Sequence, residues 1–224
     1  MAFFGRDKPI QTVLVTSNAS GEGKSFCSLN LASMLALSGK KTVLIGLDLR
    51  KPKLFNDFGL TNDFGVSNYL AGFVGKEKII QATEYENLDL IAAGPVPPNP
   101  AELLDSPKMQ ELITELNKTY DYVIIDTPPI GLVTDGVILM QHADINLYVV
   151  RHGYSKAKSL SIVNNLYELE QIKNVHVIIN DFKYSSSGYG YGYGYGYGYG
   201  DEYGLDDDEE YGDEEEEETY MRAA

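Results

Sequence analysis

The sequence predicts an α/β fold in which a mostly parallel sheet carries helices on both of its faces. Short runs rich in valine and isoleucine are apolar at every position, as expected of strands that are buried on both faces. Longer helix-like stretches separate these runs, and strands that alternate with helices form parallel sheets. Ligands of such sheets bind at the carboxyl ends of the strands, so we expect the chemistry at that edge.

The predicted elements alternate along the chain. The six strand-like runs are residues 12–16, 42–47, 88–92, 122–125, 146–150 and 175–179. The three helix-like stretches are residues 24–38, 107–119 and 158–171. The first helix is expected to end at Gly39, and the second to begin with Ser106 as its N-cap and Pro107 at its first helical position. These elements make one domain with a sizeable core.

The charge of the chain is concentrated at its C-terminal end. The 224 residues include 18 basic and 33 acidic side chains, which gives a formal net charge of −15. Residues 1–184 hold 20 acidic and 17 basic residues, whereas residues 185–224 hold 13 acidic residues and one basic residue, Arg222. Glycine stands at every second position of residues 188–200, which makes ordering entropically costly. We therefore predict a folded domain over residues 1–184 and a disordered Gly/Tyr-rich and acidic tail over residues 185–224.

Composition disfavours several classes of protein. There is no stripe of Lys and Arg to neutralise phosphates, so we expect no nucleic-acid partner. One cysteine, Cys27, cannot form a disulfide framework or a thiolate metal cluster within one chain. No apolar run approaches the ~20 residues that span a bilayer, and the first nine residues are too few for a signal peptide. We expect a soluble, cytosolic chain whose membrane anchor, if it has one, lies on another segment or on a partner.

The segment between the first strand and the first helix has the residues of a phosphate-binding loop. It reads Gly21-Glu22-Gly23-Lys24-Ser25. Glycines let consecutive backbone N–H groups converge on an anion, and the N-terminus of the helix adds partial positive charge. Lys24 is predicted to reach the β- and γ-phosphates of a nucleotide, and Ser25 to offer its hydroxyl to Mg²⁺.

The loop pattern is incomplete, because Asn18 stands where the full GxxxxGK(S/T) pattern has its first glycine. A glycine-rich turn with a surface lysine is therefore the alternative interpretation. Ser20 and Phe26, on either side of the loop, are included among the predicted nucleotide-binding positions. The side chains of Phe26 and Cys27 are themselves expected to pack in the core.

Two predicted strands each run into an aspartate, Asp48 and Asp126. Mg²⁺ takes one or two carboxylates together with substrate phosphates and water, and Asp126 is the first candidate to bind it, directly or through water. Asp48 is predicted to assist the metal or to accept the proton of an attacking hydroxyl. Arg50 would stabilise charge on a transferred phosphoryl group or bind a neighbouring acidic segment. Either aspartate alone could instead be a helix cap or a turn residue.

These motifs resemble those of the cytoplasmic catalytic domain of bacterial tyrosine kinases of capsule and exopolysaccharide export. The loop resembles that family's Walker A motif. The segment LIGLDLRKP at residues 44–52 resembles its Walker A′ motif, and the segment VIIDTPP at residues 123–129 resembles its Walker B motif. The stretch GPVPPNPAELLDS at residues 94–106 is also typical of the family. The resemblance covers residues 11–184 and the tail, and it implies a P-loop NTPase-like fold that uses ATP and Mg²⁺.

The resemblance assigns a role to each matching residue. Lys24 would bind phosphate and Ser25 would bind Mg²⁺. Asp48 would be the second acid of Walker A′, close to the metal and to the acceptor hydroxyl, and Arg50 would be the arginine of that motif. Asp126 would be the Walker B metal residue. The predicted catalytic set is therefore Lys24, Asp48, Arg50 and Asp126, and the predicted metal ligands are Ser25, Asp48 and Asp126.

Asn180 lies where related ATPases place an asparagine that contacts adenine. The chain departs from the family at two places. Gly46 replaces the first acid of Walker A′, so one carboxylate fewer is expected near the metal. The family's ExxRxxR helix, used in subunit contacts, would precede the first strand, and this chain begins too late to contain it. We expect from this a truncated chain and a weakened assembly.

The tail carries a tyrosine cluster, which is the family's hallmark phosphorylation site. The predicted phospho-acceptors are Tyr189, Tyr191, Tyr193, Tyr195, Tyr197, Tyr199, Tyr203, Tyr211 and Tyr220. A disordered segment can thread a phenol into a neighbour's active site, and each phosphate adds about −1.5 to −2 charges. Autophosphorylation in trans within a ring-like homo-oligomer would therefore loosen the assembly. The alternative is a low-complexity linker without a regulatory role. The tyrosines before residue 185 are expected to be packing residues.

We predict an ATP- and Mg-dependent protein-tyrosine kinase. The resemblance also implies a membrane-bound activator domain, fused or separate, a protein-tyrosine phosphatase, and a place at the inner face of the cell membrane. One rival is an ATPase switch of the MinD/ParA type, but those proteins carry a signature lysine where this chain has Ala19. Another rival is a non-catalytic nucleotide-binding scaffold, for which Gly46 gives some support.

Overall fold

The structure is a computed structural model that describes residues 10–183. The predicted tail, with its nine tyrosines, lies outside the described residues, as does Tyr184. The division of the chain at residue 184 and the phospho-acceptor sites therefore stay predictions. Among residues 10–183, none of the helices combines the length and the apolar character that crossing a bilayer requires.

Seven strands form a single sheet in the described part of the chain. They are β1 (Thr12–Ser17), β2 (Thr42–Gly46), β3 (Ile80–Ala82), β4 (Leu88–Ile91), β5 (Tyr122–Asp126), β6 (Ile145–Arg151) and β7 (Val175–Asn180). Their order is β3-β4-β2-β5-β1-β6-β7, and every pair is parallel except β3 with β4. The six predicted strands are all present within about a residue, whereas the three-residue strand β3 is an addition at the edge.

Seven α-helices and one 3₁₀ helix connect the strands. They are α1 (Lys24–Leu37), the 3₁₀ helix Leu54–Phe58, α2 (Val66–Leu70), α3 (Lys76–Ile79), α4 (Pro100–Leu104), α5 (Pro107–Asn117), α6 (Asp135–Met140) and α7 (Lys158–Glu168). The three predicted helices are α1, α5 and α7. Helix α1 ends as predicted, because Gly39 adopts a φ of +77° and the N–H groups of Gly39 and Lys40 return to carbonyls of its last turn.

One N-cap prediction is wrong in its chemistry. Ser106 does occupy the position before α5, with Pro107 at the first helical position, but its side chain makes no capping hydrogen bond. The Ser106 hydroxyl instead donates to the carbonyl of Leu103 at 2.6 Å. Helix α4 ends there, so the hydroxyl serves the last turn of α4 in preference to the first turn of α5.

The sheet separates two layers of apolar packing. Helices α5, α6 and α7 pack on one face, and α1 with the 3₁₀ helix packs on the other. Strands β1 and β2 are buried along their whole length, as predicted. Strand β7 departs from the prediction, since Val177 and Ile179 are 52% and 61% exposed. The reason is its place at the end of the sheet, where it has only one neighbouring strand in residues 10–183.

Candidate active site

A cleft of about 330 Å³ lies at the carboxyl ends of the central strands. The register pairs Asp126 at the end of β5 with Gly46 of β2 and with Val15 of β1, so these three strand ends meet. The predicted residues that line this one cleft are Ser20, Lys24, Ser25, Asp48, Arg50 and Asp126. The structure thus brings together side chains that the sequence places up to about a hundred residues apart.

The phosphate loop depends on glycine at two positions. Gly21 and Gly23 have φ values of +86° and +92°, in the left-handed region that side chains with a Cβ rarely adopt. Gly23 also lies directly against the side-chain amide of Asn180, which a Cβ at this position would strike. Gly23 occupies the N-cap of α1, so the loop passes straight into the helix.

Three consecutive carbonyl groups of the loop accept hydrogen bonds from side chains outside it. The pairs are Tyr154 with Ser20 at 3.0 Å, Arg151 with Gly21 at 3.1 Å, and Asn180 with Glu22 at 3.1 Å. The C=O and N–H of a planar trans peptide point in opposite directions. Holding these carbonyls on one side therefore turns the following amide N–H groups to the other, as an anion-binding loop requires.

Glu22 does not present its side chain to a nucleotide. Its carboxylate is buried, at 1% exposed for the residue, and it accepts hydrogen bonds from the Ala19 N–H at 2.7 Å and from the Ser155 hydroxyl. The side chain thus stabilises the loop by bonds to the protein, so any contact of Glu22 with phosphate would come from its backbone. Glu22 therefore stays a predicted nucleotide-binding position through its backbone N–H.

The hydroxyl of Tyr154 gives a test of this bracing. Replacing Tyr154 by Phe keeps the ring beside Arg151 and removes only the hydrogen bond to the loop. We expect the dissociation constant for Mg-ATP to rise about fivefold, the effect of one hydrogen bond of about 1 kcal/mol. Titration calorimetry measures it, and Tyr167→Phe, at a similarly exposed position, is the control. Equal affinities for Tyr154→Phe and the unmodified chain would contradict the bracing role.

The expectation that tyrosines of the domain serve packing holds for some of them. Tyr69, Tyr120 and Tyr148 are buried. For the three that are more than half exposed, Tyr85, Tyr154 and Tyr167, the packing role stays a prediction.

Asp126 is buried beneath the loop, with 3% of its surface exposed. Its two oxygens accept hydrogen bonds from the hydroxyls of Ser25 at 2.8 Å and Ser28 at 3.1 Å. Burial raises the pKa of this carboxyl, while the nearby Lys24 ammonium and the two hydroxyls act in the opposite direction. Ser28 was not predicted, although it lies one helical turn after Lys24 and so shares its face of α1.

The donor set around Asp126 fits Mg²⁺. Ser25 and Asp126 supply a hydroxyl and a carboxylate, both hard oxygen ligands. Among residues 10–183, no three His, Cys, Asp or Glu side chains are grouped as a metal-binding cluster. A magnesium ion here would therefore take its other ligands from phosphate oxygens and water. The Lys24 ammonium donates to the Ser25 hydroxyl at 3.2 Å, so the cation lies beside the same donors.

Asp48 is both a turn residue and a lining residue of the cleft. Its Oδ1 accepts the backbone N–H groups of Lys51 at 2.9 Å and Arg50 at 3.3 Å, which closes the turn after β2. The alternative interpretation of this aspartate as a turn residue is thus correct for one of its oxygens. The turn fixes the carboxylate at the cleft, where Oδ2 can serve a ligand.

Arg50 forms a bidentate ion pair that the sequence did not predict. Its Nε and Nη2 donate to the two oxygens of Asp135 at 2.8 and 3.0 Å. The Asp135 side chain is completely buried at the start of α6, whereas that of Arg50 is 43% exposed. The guanidinium is therefore fixed at the wall of the cleft by an acid of its own domain, and Asp135 determines its orientation.

Two further predicted binding residues lie near the loop. Phe26 is 65% exposed, so its expected place in the core is wrong. Cys27 is half-buried and packs against the apolar residues between α1 and the sheet, as expected. Asn180 reaches the loop through its bond to the Glu22 carbonyl, and its contact with adenine stays a prediction.

Comparisons with known proteins match nearly all of the described residues. The model of a family described as "AAA domain" matches residues 10–181. The tyrosine-protein kinase YwqD of Bacillus subtilis is 39% identical over 190 residues, which are 84% of this chain and 80% of that protein. The tyrosine-protein kinase ptk of Acinetobacter johnsonii is also 39% identical, over 79% of this chain, but the match spans only 24% of that protein.

Solved structures give the same fold. The kinase domain of the Escherichia coli tyrosine kinase ETK superposes with a TM-score of 0.76 at 36% identity, over 84% of this chain and 74% of that chain. The septum site-determining protein MinD of Pyrococcus horikoshii, complexed with Mg-ADP, superposes with a TM-score of 0.65 at 23% identity, over 79% of this chain and 72% of that chain. The second likeness shows the fold alone, which is P-loop NTPase-like.

Proposed function

Because the chain belongs to the family of bacterial tyrosine kinases, we propose that it transfers the γ-phosphoryl group of ATP to tyrosines of its own C-terminal tail, acting in trans on a second copy. One observation carries this proposal. A lysine, a hydroxyl and two carboxylates meet at one cleft in a domain whose relatives are tyrosine kinases. They are Lys24, Ser25, Asp48 and Asp126. Phosphoryl transfer needs positioning and charge stabilisation more than covalent help, and these groups supply both.

The residues divide the work of the reaction. The loop N–H groups and Lys24 bind the β- and γ-phosphates, and Ser25 and Asp126 hold Mg²⁺, which neutralises charge on the phosphate oxygens when it is bound. Asp48 accepts the proton of the acceptor phenol as the phenol oxygen bonds to the γ-phosphorus. The bond from that phosphorus to the β–γ bridging oxygen breaks, and ADP leaves. Arg50, oriented by Asp135, stabilises the charge of the transferred group.

A mixing experiment tests activity and trans action together. A Lys24→Met chain with an intact tail serves as the acceptor, and a chain with phenylalanine at all nine tail tyrosines serves as the donor. With Mg-ATP, mass spectrometry should find phosphate between Tyr189 and Tyr220 of the acceptor only when the donor is present. The unmodified chain should label itself. No phosphate on the unmodified tail would overturn the proposal, and rapid ATP hydrolysis without labelling would favour an ATPase switch of the MinD/ParA type.

The remaining partners belong to the same proposal. Transfer in trans is served by a ring-like homo-oligomer, and each added phosphate brings about −1.5 to −2 charges that repel neighbouring tails. A membrane-bound activator domain, fused or separate, brings the domain to the inner face of the membrane, and a protein-tyrosine phosphatase resets the tail. Control of capsule or exopolysaccharide assembly and export is the process we propose; a Staphylococcus aureus relative, 41% identical, is named putative tyrosine-protein kinase CapB.

Gly46 provides a test of the metal site. A Cβ at this position would lie 3.4 Å from the nearest atom, in the Leu54 side chain, which is an ordinary contact. Gly46→Asp therefore adds a further carboxylate to the cleft, beside Asp126, the partner of Gly46 in the β-ladder. We expect the Mg²⁺ concentration for half-maximal activity to fall about tenfold, because more carboxylate ligands bind the cation more tightly. A magnesium titration measures this shift.

Gly46→Asn is the matched control, since it has the same size without the charge. Equal magnesium dependence of the Asp and Asn variants would contradict a metal at this end of β2. In the absence of Mg²⁺ we expect the Asp variant to be the less stable of the two, because two buried carboxylates repel each other.

A further inference from the structure

The cleft that holds the phosphate loop continues past the groups of the proposed reaction. In phosphoryl transfer the acceptor oxygen and the leaving oxygen of ADP lie on opposite sides of the γ-phosphorus. Asp48, the proposed proton acceptor, therefore marks the acceptor side of the cleft. The residues that line the cleft beyond Asp48 come from two segments, one that follows β2 and one that follows β5. An acceptor group would contact both segments.

The walls on this acceptor side are apolar. The segment after β2 contributes Pro52 and Phe55, and the segment after β5 contributes Leu132 and Val133. We call Phe55, Leu132 and Val133 the apolar wall. Leu132 is 69% exposed although it lines a cleft, so a ligand that covers it removes apolar surface from water. The ring of a tyrosine has flat apolar faces for this contact and a hydroxyl for the carboxylate end of the cleft.

Two lysines of the same lining have no partner in the described part of the chain. Lys51 and Lys53 are exposed and follow β2 directly. The four ion pairs found among residues 10–183 use other basic side chains, and neither ammonium takes part in a hydrogen bond there. Arg50 differs from them, because Asp135 already neutralises its guanidinium. Lys51 and Lys53 are therefore available to an anionic ligand.

The charge of the lining is opposite to that of the domain around it. Four basic and two acidic side chains line the cleft, whereas residues 10–183 hold 15 basic and 19 acidic residues. A cleft with a local excess of one sign of charge concentrates and orients ligands of the other sign. Lys24 and Arg50 serve the phosphates in the proposed reaction, so the other two cations are left for a second group of negative charges.

We propose that the acceptor side of the cleft selects tyrosines that have acidic residues beside them in a peptide segment. The apolar wall takes the phenol ring, and Lys51 and Lys53 take the flanking carboxylates. This inference rests on the proposed function, because it names the substrate class of the same cleft. A tyrosine between uncharged residues covers the wall but leaves both lysines without a partner, so it binds more weakly.

Binding of two free peptides to the unmodified chain in the presence of Mg-ADP tests the selection without any transfer. One peptide is Glu-Asp-Tyr-Asp-Glu, and the other is Gln-Asn-Tyr-Asn-Gln, which has nearly the same size without the charges. We expect the acidic peptide to bind about fivefold to tenfold more tightly at low salt, and this preference to shrink as added salt screens the charges. Fluorescence anisotropy of the labelled peptides measures both affinities. Equal affinities at low salt would overturn the inference.

Substitution of the two lysines assigns the preference to them. A chain with Lys51→Gln and Lys53→Gln should bind both peptides equally, at the affinity of the uncharged one. The control carries Lys156→Gln and Lys158→Gln, two exposed lysines with the same spacing that do not line the cleft, and it should keep the preference. A preference that survives the first pair of substitutions would overturn the inference. Weaker binding of Mg-ATP to that chain would also overturn it, since the lysines would then serve the nucleotide.

The apolar wall has a test of its own. Leu132→Ser should raise the dissociation constants of both peptides about threefold to tenfold, because the ring loses apolar contact. Leu169→Ser, at a position that is 67% exposed and outside the cleft, should change neither. Unchanged dissociation constants for Leu132→Ser would overturn the place of the ring. Selective binding of the acidic peptide without phosphate transfer to any tyrosine would overturn the proposed function alone, whereas transfer with equal peptide affinities would overturn this inference alone.

Discussion

Replacing Lys24 with methionine is expected to lower the initial rate of tail phosphorylation by about 10³-fold. The lysine is the cation of the loop, beside the Ser25 hydroxyl at 3.2 Å, and it offsets part of the rise that burial causes in the pKa of Asp126. Its ammonium neutralises charge that grows on the phosphate oxygens during transfer. Methionine is unbranched and only one atom shorter than lysine, and it removes the charge, so the loss would fall on the chemical step more than on folding.

The rate is measured by phosphotyrosine labelling under single-turnover conditions, with Lys40→Met as the control. Lys40 is exposed after the end of α1, so its replacement makes the same change of charge away from the cleft. An unchanged rate for Lys24→Met would show that Lys24 takes no part in the reaction. An equal loss of rate for Lys40→Met would show that the rate depends on net charge alone.

Asp126→Asn is expected to separate activity from stability. The amide removes the metal-binding charge, and we expect phosphorylation to fall by about 10²- to 10³-fold. Burial raises the pKa of Asp126, so at neutral pH the ionised carboxylate is less favourable in the folded domain than in the unfolded chain. Asparagine has no ionised form, so the thermal midpoint measured in EDTA should rise.

Asp63→Asn is the matched control, because Asp63 is exposed and does not line the cleft. It should leave both the rate and the midpoint unchanged. A lower midpoint for Asp126→Asn in EDTA would mean that the hydrogen bonds from Ser25 and Ser28 outweigh the effect of burial. Full activity of Asp126→Asn would contradict its place at the metal.

Local sequence patterns predicted those residues of the site that are held at the ends of strands or in the phosphate loop. Lys24, Ser25, Asp48 and Asp126 stand directly after buried apolar strands or at the start of the first helix, and those signals lie within a few residues. Gly39 likewise marked the end of α1. A pattern of this kind needs no knowledge of what lies opposite in the fold.

The residues of the site that the sequence did not predict come from distant segments of the chain. Asp135 meets Arg50 across 85 positions, and Tyr154 meets Ser20 across 134. No periodicity links residues so far apart, so the supports of the loop and of Arg50 could not be read from the sequence. The short helices were missed for another reason. Helices of four to six residues, such as α2, α3, α4 and α6, complete fewer than two turns and show no helical repeat.

Asn180 links two parts of the fold. It is the last residue of β7, and its side-chain amide donates a hydrogen bond to the Glu22 carbonyl of the phosphate loop at 3.1 Å. The edge strand of the described sheet and the phosphate loop are therefore joined by a direct hydrogen bond. Thermodynamic linkage makes any influence between them reciprocal: if ATP at the loop stabilises β7 by some factor, whatever stabilises β7 strengthens ATP binding by the same factor. Hydrogen exchange of β7 with and without ATP would then report at the edge of the sheet on an event at its centre.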